Sequence, residues 1–136
     1  MKTLSVIGFL LVVMWGCSSQ KGMVHLAQAK QATASDSTEY ELIVFDPMFE
    51  TWFVENYSPA KDHSDAYYHV WNIQYVIDWN YHFMAGHFPR VIENYIDYDA
   101  SVDYGIELNR KLYYYFRYVE TYLKVPILLM GPKQTT

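Results

Sequence analysis

The chain has 136 residues, of which 51% are hydrophobic and 18% aromatic, and its formal net charge at pH 7 is -5. This length accommodates one domain, and the negative charge argues against nucleic acid as a partner, because a surface that tracks phosphates must be basic. The single cysteine, Cys17, excludes an intramolecular disulfide.

The N-terminus carries the most specific signal in the chain. Residues 4–15 form a run that is apolar apart from Ser5; as a helix they would reach about 18 Å, well short of the ~30 Å hydrocarbon core of a bilayer. They therefore predict the core of a signal peptide at residues 1–16. Gly16 and Cys17 follow, and here the sequence resembles a bacterial lipoprotein signal, in which the cysteine becomes the lipidated N-terminus. The alternatives are an ordinary secretion signal and a buried N-terminal helix.

The next residues are polar and contain no aromatic ring. Residues 17–38 are interpreted as the lipidated cysteine and a flexible tether. The folded domain is predicted at residues 39–130, followed by a polar tail at 131–136. Residues 38–130 contain six basic and fourteen acidic side chains, so their net charge is -8. This organisation predicts a domain that is lipid-anchored in the bacterial cell envelope, at the outer membrane.

A strand and a short helix are predicted first within the domain. Residues 39–45 combine alternation with β-branched and aromatic side chains, which favours a strand. Asp46 and Pro47 suit the cap and first turn of a helix that continues to residue 56.

A long second helix is predicted from the cap residue Ser64 to about residue 87. One apolar stripe follows helical spacing along it: Ala66, Val70, Ile73, Ile77, Tyr81 and Met84. Further large side chains lie off that stripe: Trp71, Tyr75, Trp79 and Phe83. A helix that is apolar on most sides is expected at the centre of the fold.

Two further strands and a third helix complete the predicted domain. Residues 91–98 favour a loop and a strand, and residues 125–130 favour an edge strand, because Pro126 cannot donate to an inner ladder. Between them, residues 103–123 have the clearest helical pattern. Its apolar face comprises Tyr104, Leu108, Leu112, Tyr115, Val119 and Tyr122. The predicted fold class is α+β, with three helices packed on a small sheet of two or three strands.

Three stretches carry a resemblance to a family: YELIVFDP at 40–47, WNxxYVxxWNY at 71–81 and IDYDxxVDYGxELNxKLYYYFR at 96–117. Together they resemble a family of small uncharacterised lipoproteins from Bacteroidota. The resemblance covers most of the chain after the signal and implies an envelope location. It implies no catalytic residues, because the family has no assigned activity.

An acidic loop precedes the third helix. Asp97, Asp99, Ser101 and Asp103 present alternate oxygen side chains, with Glu107 one turn later. Calcium loops present their ligands with this spacing, but Val102 and Leu108 occupy positions where an EF-hand needs glycine and glutamate. An irregular Ca²⁺ site therefore stays open beside the interpretation that Asp99 or Ser101 caps the helix. No other cofactor is predicted.

Two carboxylate and histidine pairs lie four residues apart on the long helix. Asp65 precedes His69, and Asp78 precedes His82, with His87 a further turn away. A metal needs three or four converging ligands, which this spacing does not supply by itself. Hydrogen-bonded histidines are the commoner outcome, and no serine stands in a nucleophile motif.

The aromatic load is concentrated in the domain, which holds all the rings except Phe9 and Trp15. Residues 113–116 are four consecutive rings that point in different directions on a helix, so one must leave the core or meet a second layer. We therefore predict a non-enzymatic binding or assembly module that docks an envelope protein or a glycan through an aromatic, acidic surface. Its candidate residues are Tyr114, Arg117 and Arg110. The alternative is a small hydrolase that cleaves glycans with paired carboxylates.

Overall fold

The computed structural model describes residues 24–28, 40–129 and 131–132. Over these ranges the chain forms two strands and three α-helices. They are β1 (Val24–Gln28), β2 (Tyr40–Val44), α1 (Pro47–Asn56), α2 (Asp65–Met84) and α3 (Ile106–Thr121). The predicted signal peptide and Cys17 lie outside the described residues, as does most of the predicted tether. None of the described helices is long and apolar enough to cross a membrane.

The three predicted helices are confirmed, and two of them begin at the expected caps. The Asp46 carboxylate accepts a hydrogen bond from the Met48 backbone N–H at 3.0 Å, and the Ser64 hydroxyl accepts one from Tyr67 at 3.2 Å. The third helix begins later than predicted, after Gly105, whose φ of 79° is a conformation that suits glycine. The acidic loop precedes α3, as predicted, but the helix is capped at Gly105 without a side-chain hydrogen bond, so the predicted cap at Asp99 or Ser101 is wrong.

The centre of the fold is α3, which packs against α2, α1 and β2. The Phe116 ring stacks on Tyr75 of α2, with ring centroids 4.8 Å apart. The Tyr115 ring meets Phe49 of α1 edge to face at 5.3 Å. Because helices cover α3 on two sides, consecutive rings that point in different directions are buried together. The structure thus supplies the second layer that the four consecutive rings required.

The predicted sheet is much reduced. β1 pairs antiparallel with β2, with Val24 opposite Val44, so part of the segment predicted as a tether belongs to a hairpin. The two strands predicted at residues 91–98 and 125–130 are wrong: the described residues of both segments form no strand. The domain is mixed but dominated by helices, and its helices do not pack on an extended sheet.

Side chains explain why residues 91–98 need no strand partner. The Asn80 side chain accepts a hydrogen bond from the Ile96 N–H and donates one to the Ile96 carbonyl, both at 2.8 Å. The Trp79 indole donates to the Asn94 carbonyl, also at 2.8 Å. In the other segment, the Leu128 N–H donates to the Glu120 carboxylate at 3.0 Å. Buried backbone groups must be paired. Here side chains of α2 and α3 supply the hydrogen bonds that a neighbouring strand would supply in a sheet.

The orientation of α2 is the largest departure from expectation. The face buried against α3 and the loop comprises Tyr68, Asn72, Tyr75, Val76, Trp79 and Asn80. The aliphatic stripe, including Val70, Ile77 and Met84, lies on the opposite side and is exposed. The helix is central, as predicted, but it buries its aromatic face and leaves the aliphatic stripe outside.

Candidate functional site

The predicted partner residue Tyr114 lies in the contact between α1 and α3. Its ring is partly buried and meets Phe53 and Tyr57 edge to face, at centroid distances of 5.3 and 5.7 Å. Trp52 packs nearby at 6.5 Å. The ring is therefore used largely for packing within the chain.

Arg110 is held in an internal ion pair. Its guanidinium donates two hydrogen bonds to the Asp62 carboxylate and lies over the Tyr57 ring, 5.1 Å from its centroid. The Tyr68 hydroxyl donates to the same carboxylate at 2.6 Å. The hydrogen bonds from Arg110 hold the pKa of Asp62 below its usual value, despite the opposing effect of burial. This cluster ties α3 to the start of α2.

Arg117 is also paired, with Glu120 at 3.1 Å. Glu120 further accepts a hydrogen bond from the Tyr75 hydroxyl at 2.8 Å. Beside this pair an open groove of about 470 Å³ is lined by Arg117, Glu120, Lys124, Pro126, Leu128, Gly131 and Pro132. Glu120 is its one carboxylate, so this groove does not offer the two facing carboxylates that a glycan hydrolase uses.

The acidic loop is organised by its own hydrogen bonds. Asp99 accepts from the Ser101 N–H at 2.8 Å and hydroxyl at 2.7 Å, and Asp103 accepts from the Gly105 N–H at 3.0 Å. The hydroxyl bond is the main reason why the pKa of Asp99 is lowered. Throughout the described ranges, no three His, Cys, Asp or Glu side chains gather closely enough to hold a metal ion. The Ca²⁺ site remains a prediction.

The predicted pair of Asp65 and His69 belongs to a polar network between α2 and α3. Asn109 donates to Asp65 and accepts from the Tyr98 hydroxyl, each at 2.8 Å. The Tyr98 hydroxyl donates its proton to the Asn109 oxygen. The His69 Nδ1–H must therefore be the donor in its 2.8 Å contact with the Tyr98 oxygen. Burial raises the pKa of Tyr98, which keeps the hydroxyl protonated. The network joins α2, α3 and the segment that carries Tyr98.

A stripe of exposed apolar side chains runs along α2. We define the outer face of α2 as Val70, Ile73, Ile77, Tyr81 and Met84. Ile77 and Tyr81 are each 62% exposed, Met84 is 80% exposed and Val70 is 53% exposed, while Ile73 lies half-buried at the margin. At about 100° per residue, these positions lie opposite the buried face. Aromatic and methionine side chains are enriched at protein interfaces.

An unusual turn closes this surface at the C-terminal end of α2. Phe88 has a positive φ of 52°, a conformation that bulky side chains rarely adopt, and its ring packs against His82. His82 lies with its Nδ1 3.1 Å from Nδ1 of His87. The second predicted carboxylate and histidine pair is thus replaced by a contact between two imidazoles. Backbone strain of this kind is concentrated at functional sites.

Sequence reasoning found the outer face of α2 as an apolar stripe, but it expected a helix buried on most sides and did not predict that this stripe is exposed. The signal that could have corrected this is the repeat of Trp71-Asn72 at Trp79-Asn80, two turns later. The repeated asparagines are buried, with Asn72 bonded to the Asn109 carbonyl and Asn80 to Ile96. A Trp-Asn pair that recurs after two helical turns therefore indicates a buried helix face whose amides hydrogen-bond to the backbone of other segments.

Comparison with known proteins places the chain in a family but not in a functional class. A search of curated proteins and a search of solved structures each gave no match. A scan of protein families matched residues 4–131, which is most of the chain. The protein therefore belongs to DUF6146, a family of unknown function.

Proposed function

We propose that this protein is a non-enzymatic assembly module of the bacterial envelope, anchored by lipid on Cys17, that docks a protein partner through the outer face of α2. The observation that carries the proposal is the exposure of Ile77, Tyr81 and Met84 on a helix whose opposite face is already buried. Exposed apolar surface that extends over several turns is typical of interaction sites.

The charge distribution supports a protein partner. The domain is acidic, yet the outer face of α2 carries no charged side chain, and α2 as a whole contains no lysine or arginine. A membrane surface recruits helices that carry basic residues beside the apolar ones. The predicted cations Arg110 and Arg117 are engaged within the domain, so the docking surface is assigned to α2.

In this proposal, lipid on Cys17 attaches the module to the membrane. Cys17 follows an apolar run of signal-peptide length, and lipidation with two or more acyl chains provides stable attachment. Mass spectrometry of the mature N-terminus tests this assignment. We expect a first residue Cys17 with acyl chains attached, and a Cys17→Ser variant that is released from the membrane fraction. An unmodified chain that begins beyond Cys17 would remove the anchor from the proposal.

A photo-reactive residue tests the docking surface in the intact cells that produce the protein. We expect a residue introduced at position 77 or 81 of the full chain to form a covalent adduct of higher mass after illumination. The matched control is position 54, because Val54 is 76% exposed but belongs to α1. Equal adduct formation at 54 and 77, or none at either, would overturn the proposed function.

A further inference from the structure

We propose that the two imidazoles at the C-terminal end of α2, His82 and His87, form a binding site for a divalent transition-metal ion that prefers nitrogen ligands, with Cu²⁺ bound most tightly. The observation that carries the proposal is the position of the two Nδ1 atoms, which lie 3.1 Å apart. The site does not depend on the docking surface assigned to α2, and either can stand without the other.

The separation of the two Nδ1 atoms matches the spacing of neighbouring ligands around one ion. A bond between a metal ion and an imidazole nitrogen is about 2.0–2.1 Å long. Two nitrogens 3.1 Å apart therefore subtend an angle of about 95–102° at an ion bonded to both. This angle lies between those of square-planar and tetrahedral coordination, the geometries that Cu²⁺ and Zn²⁺ adopt with imidazoles. One ion can thus reach both nitrogens without moving them apart.

The surroundings of His82 determine which of its nitrogens is available to a metal. Its Nε2 lies 3.4 Å from the carbonyl oxygen of Ile127, and a carbonyl can only accept a hydrogen bond, so Nε2 carries the proton. In the neutral ring Nδ1 then holds a lone pair, which accepts the Nδ1–H of His87 in the metal-free protein. Histidines that bind metals typically donate their other ring N–H to a carbonyl or a carboxylate.

His87 supplies the second nitrogen because its ring is exposed and can change its tautomer. When the metal binds, the His87 proton leaves Nδ1 and a proton from water is placed on Nε2, so the number of protons on the ring stays the same. The freed Nδ1 lone pair bonds to the ion, and two metal–nitrogen bonds replace the hydrogen bond between the rings. The ring centroids are 5.3 Å apart, and the exposed ring tilts so that both lone pairs point at the ion.

The turn after α2 holds the two imidazoles together before any ion binds. The His87 backbone N–H donates to the His82 carbonyl at 2.9 Å. Gly86 and Phe88 have positive φ angles of 68° and 52°, and the Phe88 ring contacts both imidazoles, at centroid distances of 5.4 and 6.3 Å. This backbone conformation is unfavourable for a phenylalanine, yet it places the ring beside both ligands. Ligands that are held in position in advance bind a metal more tightly.

Water supplies the remaining ligands. In the part of the chain that the structure describes, no third His, Cys, Asp or Glu lies close enough to join the two imidazoles, so we expect an exchangeable site of modest affinity. The net charge of -8 over residues 38–130 favours a dication. Ca²⁺ and Mg²⁺ prefer oxygen ligands, whereas imidazoles suit Cu²⁺, Ni²⁺ and Zn²⁺, among which Cu²⁺ forms the most stable complexes.

Titration of the full chain in detergent with Cu²⁺ tests the site. All proteins carry Cys17→Ser, so that no thiol binds or reduces the ion. At the site of highest affinity we expect one Cu²⁺, with couplings to two imidazole nitrogens in its electron paramagnetic resonance spectrum. We expect His87→Ala to remove one of these couplings and to weaken the affinity for Cu²⁺ by about tenfold or more. The matched control is His63→Ala, which removes an exposed imidazole from the loop before α2 and should leave the affinity unchanged.

Thermal unfolding separates the loss of a ligand from the loss of structure. An ion that binds only the folded chain raises the unfolding temperature. His82→Gln keeps an N–H for the Ile127 carbonyl, so we expect it to retain the metal-free unfolding temperature and to lose the increase that Cu²⁺ gives the parent chain. The same loss is expected in His87→Ala and not in His63→Ala.

Three results would overturn the metal site. The first is an affinity for Cu²⁺ that is the same in the parent chain, in His82→Gln and in His87→Ala, which would leave the two imidazoles as a hydrogen-bonded pair only. The second is a loss of affinity in His63→Ala as large as that in His87→Ala, because Cu²⁺ would then bind exposed histidines without selection. The third is displacement of the bound Cu²⁺ by excess Ca²⁺, which would indicate oxygen ligands.

Discussion

The helices α2 and α3 pack against each other, but they bury different kinds of side chain. α3 buries the aliphatic Leu108, Leu112 and Val119 together with its rings. α2 buries mainly rings and amides, with Val76 as its one buried aliphatic side chain, and leaves Val70, Ile77 and Met84 in solvent. Each helix also holds an irregular segment, but the loop against α2 is paired by the buried Trp79 and Asn80, whereas the segment against α3 is paired by Glu120, which is not fully buried.

A loop against a helix brings unpaired backbone groups into the interior, and these must be hydrogen-bonded. Aliphatic side chains cannot provide those bonds. The Asn80 amide and the Trp79 indole provide them to the segment 94–96 while filling the core. The face of α2 that turns inward is therefore the one that combines volume with hydrogen-bonding groups.

The largest expected effect comes from removing a ring of the buried face. Trp79→Ala deletes a fully buried side chain and its bond to Asn94, and we expect a loss of about 3–5 kcal/mol in the free energy of unfolding. Chemical denaturation followed by circular dichroism measures it. A loss below about 1 kcal/mol would contradict the assignment of this face to the core.

Asn80→Leu tests the role of the buried amides. The change keeps the branched shape and the number of heavy atoms but leaves the Ile96 N–H and carbonyl without their partner, so we expect a loss of about 2–3 kcal/mol. The matched control is Gln74→Leu on the exposed side of the same helix. Similar denaturation midpoints for the two variants would show that the amide bonds do not hold the loop.

The ion pair at the end of the contact between α2 and α3 predicts a pH dependence. Arg110 lowers the pKa of Asp62 below its reference value of 3.8. Its contribution to stability is therefore complete above about pH 5 and is lost as the pH falls through and below about 4. Because the pair is partly exposed, we expect Asp62→Asn to cost about 1 kcal/mol at pH 7, a difference that shrinks toward pH 3. In an Arg110→Gln background the pH-dependent part should be smaller, because the Tyr68 hydroxyl and the His63 N–H then still bond the Asp62 carboxylate; an unchanged difference there would exclude the ion pair as its main cause.

The smallest expected effect is on the outer face of α2. Ile and Ser have similar helix propensities, so Ile77→Ser isolates the contribution of the exposed aliphatic group. At dilutions where copies of the chain are apart, we expect the free energy of unfolding to change by no more than about 0.5 kcal/mol. Thermal unfolding over a dilution series measures it, and a large loss that persists at the lowest concentration would mean that Ile77 is packed within its own chain.

Local features of the fold could be predicted from the sequence. The caps at Asp46 and Ser64 are set by hydrogen bonds that span two or three residues, so the surrounding sequence contains both partners. The strands at 91–98 and 125–130 could not be decided in this way. Their backbone partners, Asn80 and Glu120, lie on helices elsewhere in the chain, and an apolar run looks the same whether a strand or a side chain pairs with it.

The candidate site shows the same division. The sequence shows the outer face of α2 as a helical stripe of apolar residues. It also shows an aromatic residue, Tyr114, on a helix face that carries Arg110 and Arg117. Neither pattern shows which of these side chains are already bonded or packed within the chain. That depends on Asp62, which is close to Arg110 only after α2 and α3 meet.

The sequence by itself determined the number of helices, two of their starting points and the acidic, aromatic character of the domain, because these depend on composition and on neighbours within one or two turns. Only the tertiary structure decided which face of α2 turns inward. Two apolar faces compete on that helix, and periodicity cannot rank them. Burial selects the face whose rings fill the space beside α3 and whose amides satisfy the loop, which leaves Ile77 and its neighbours outside.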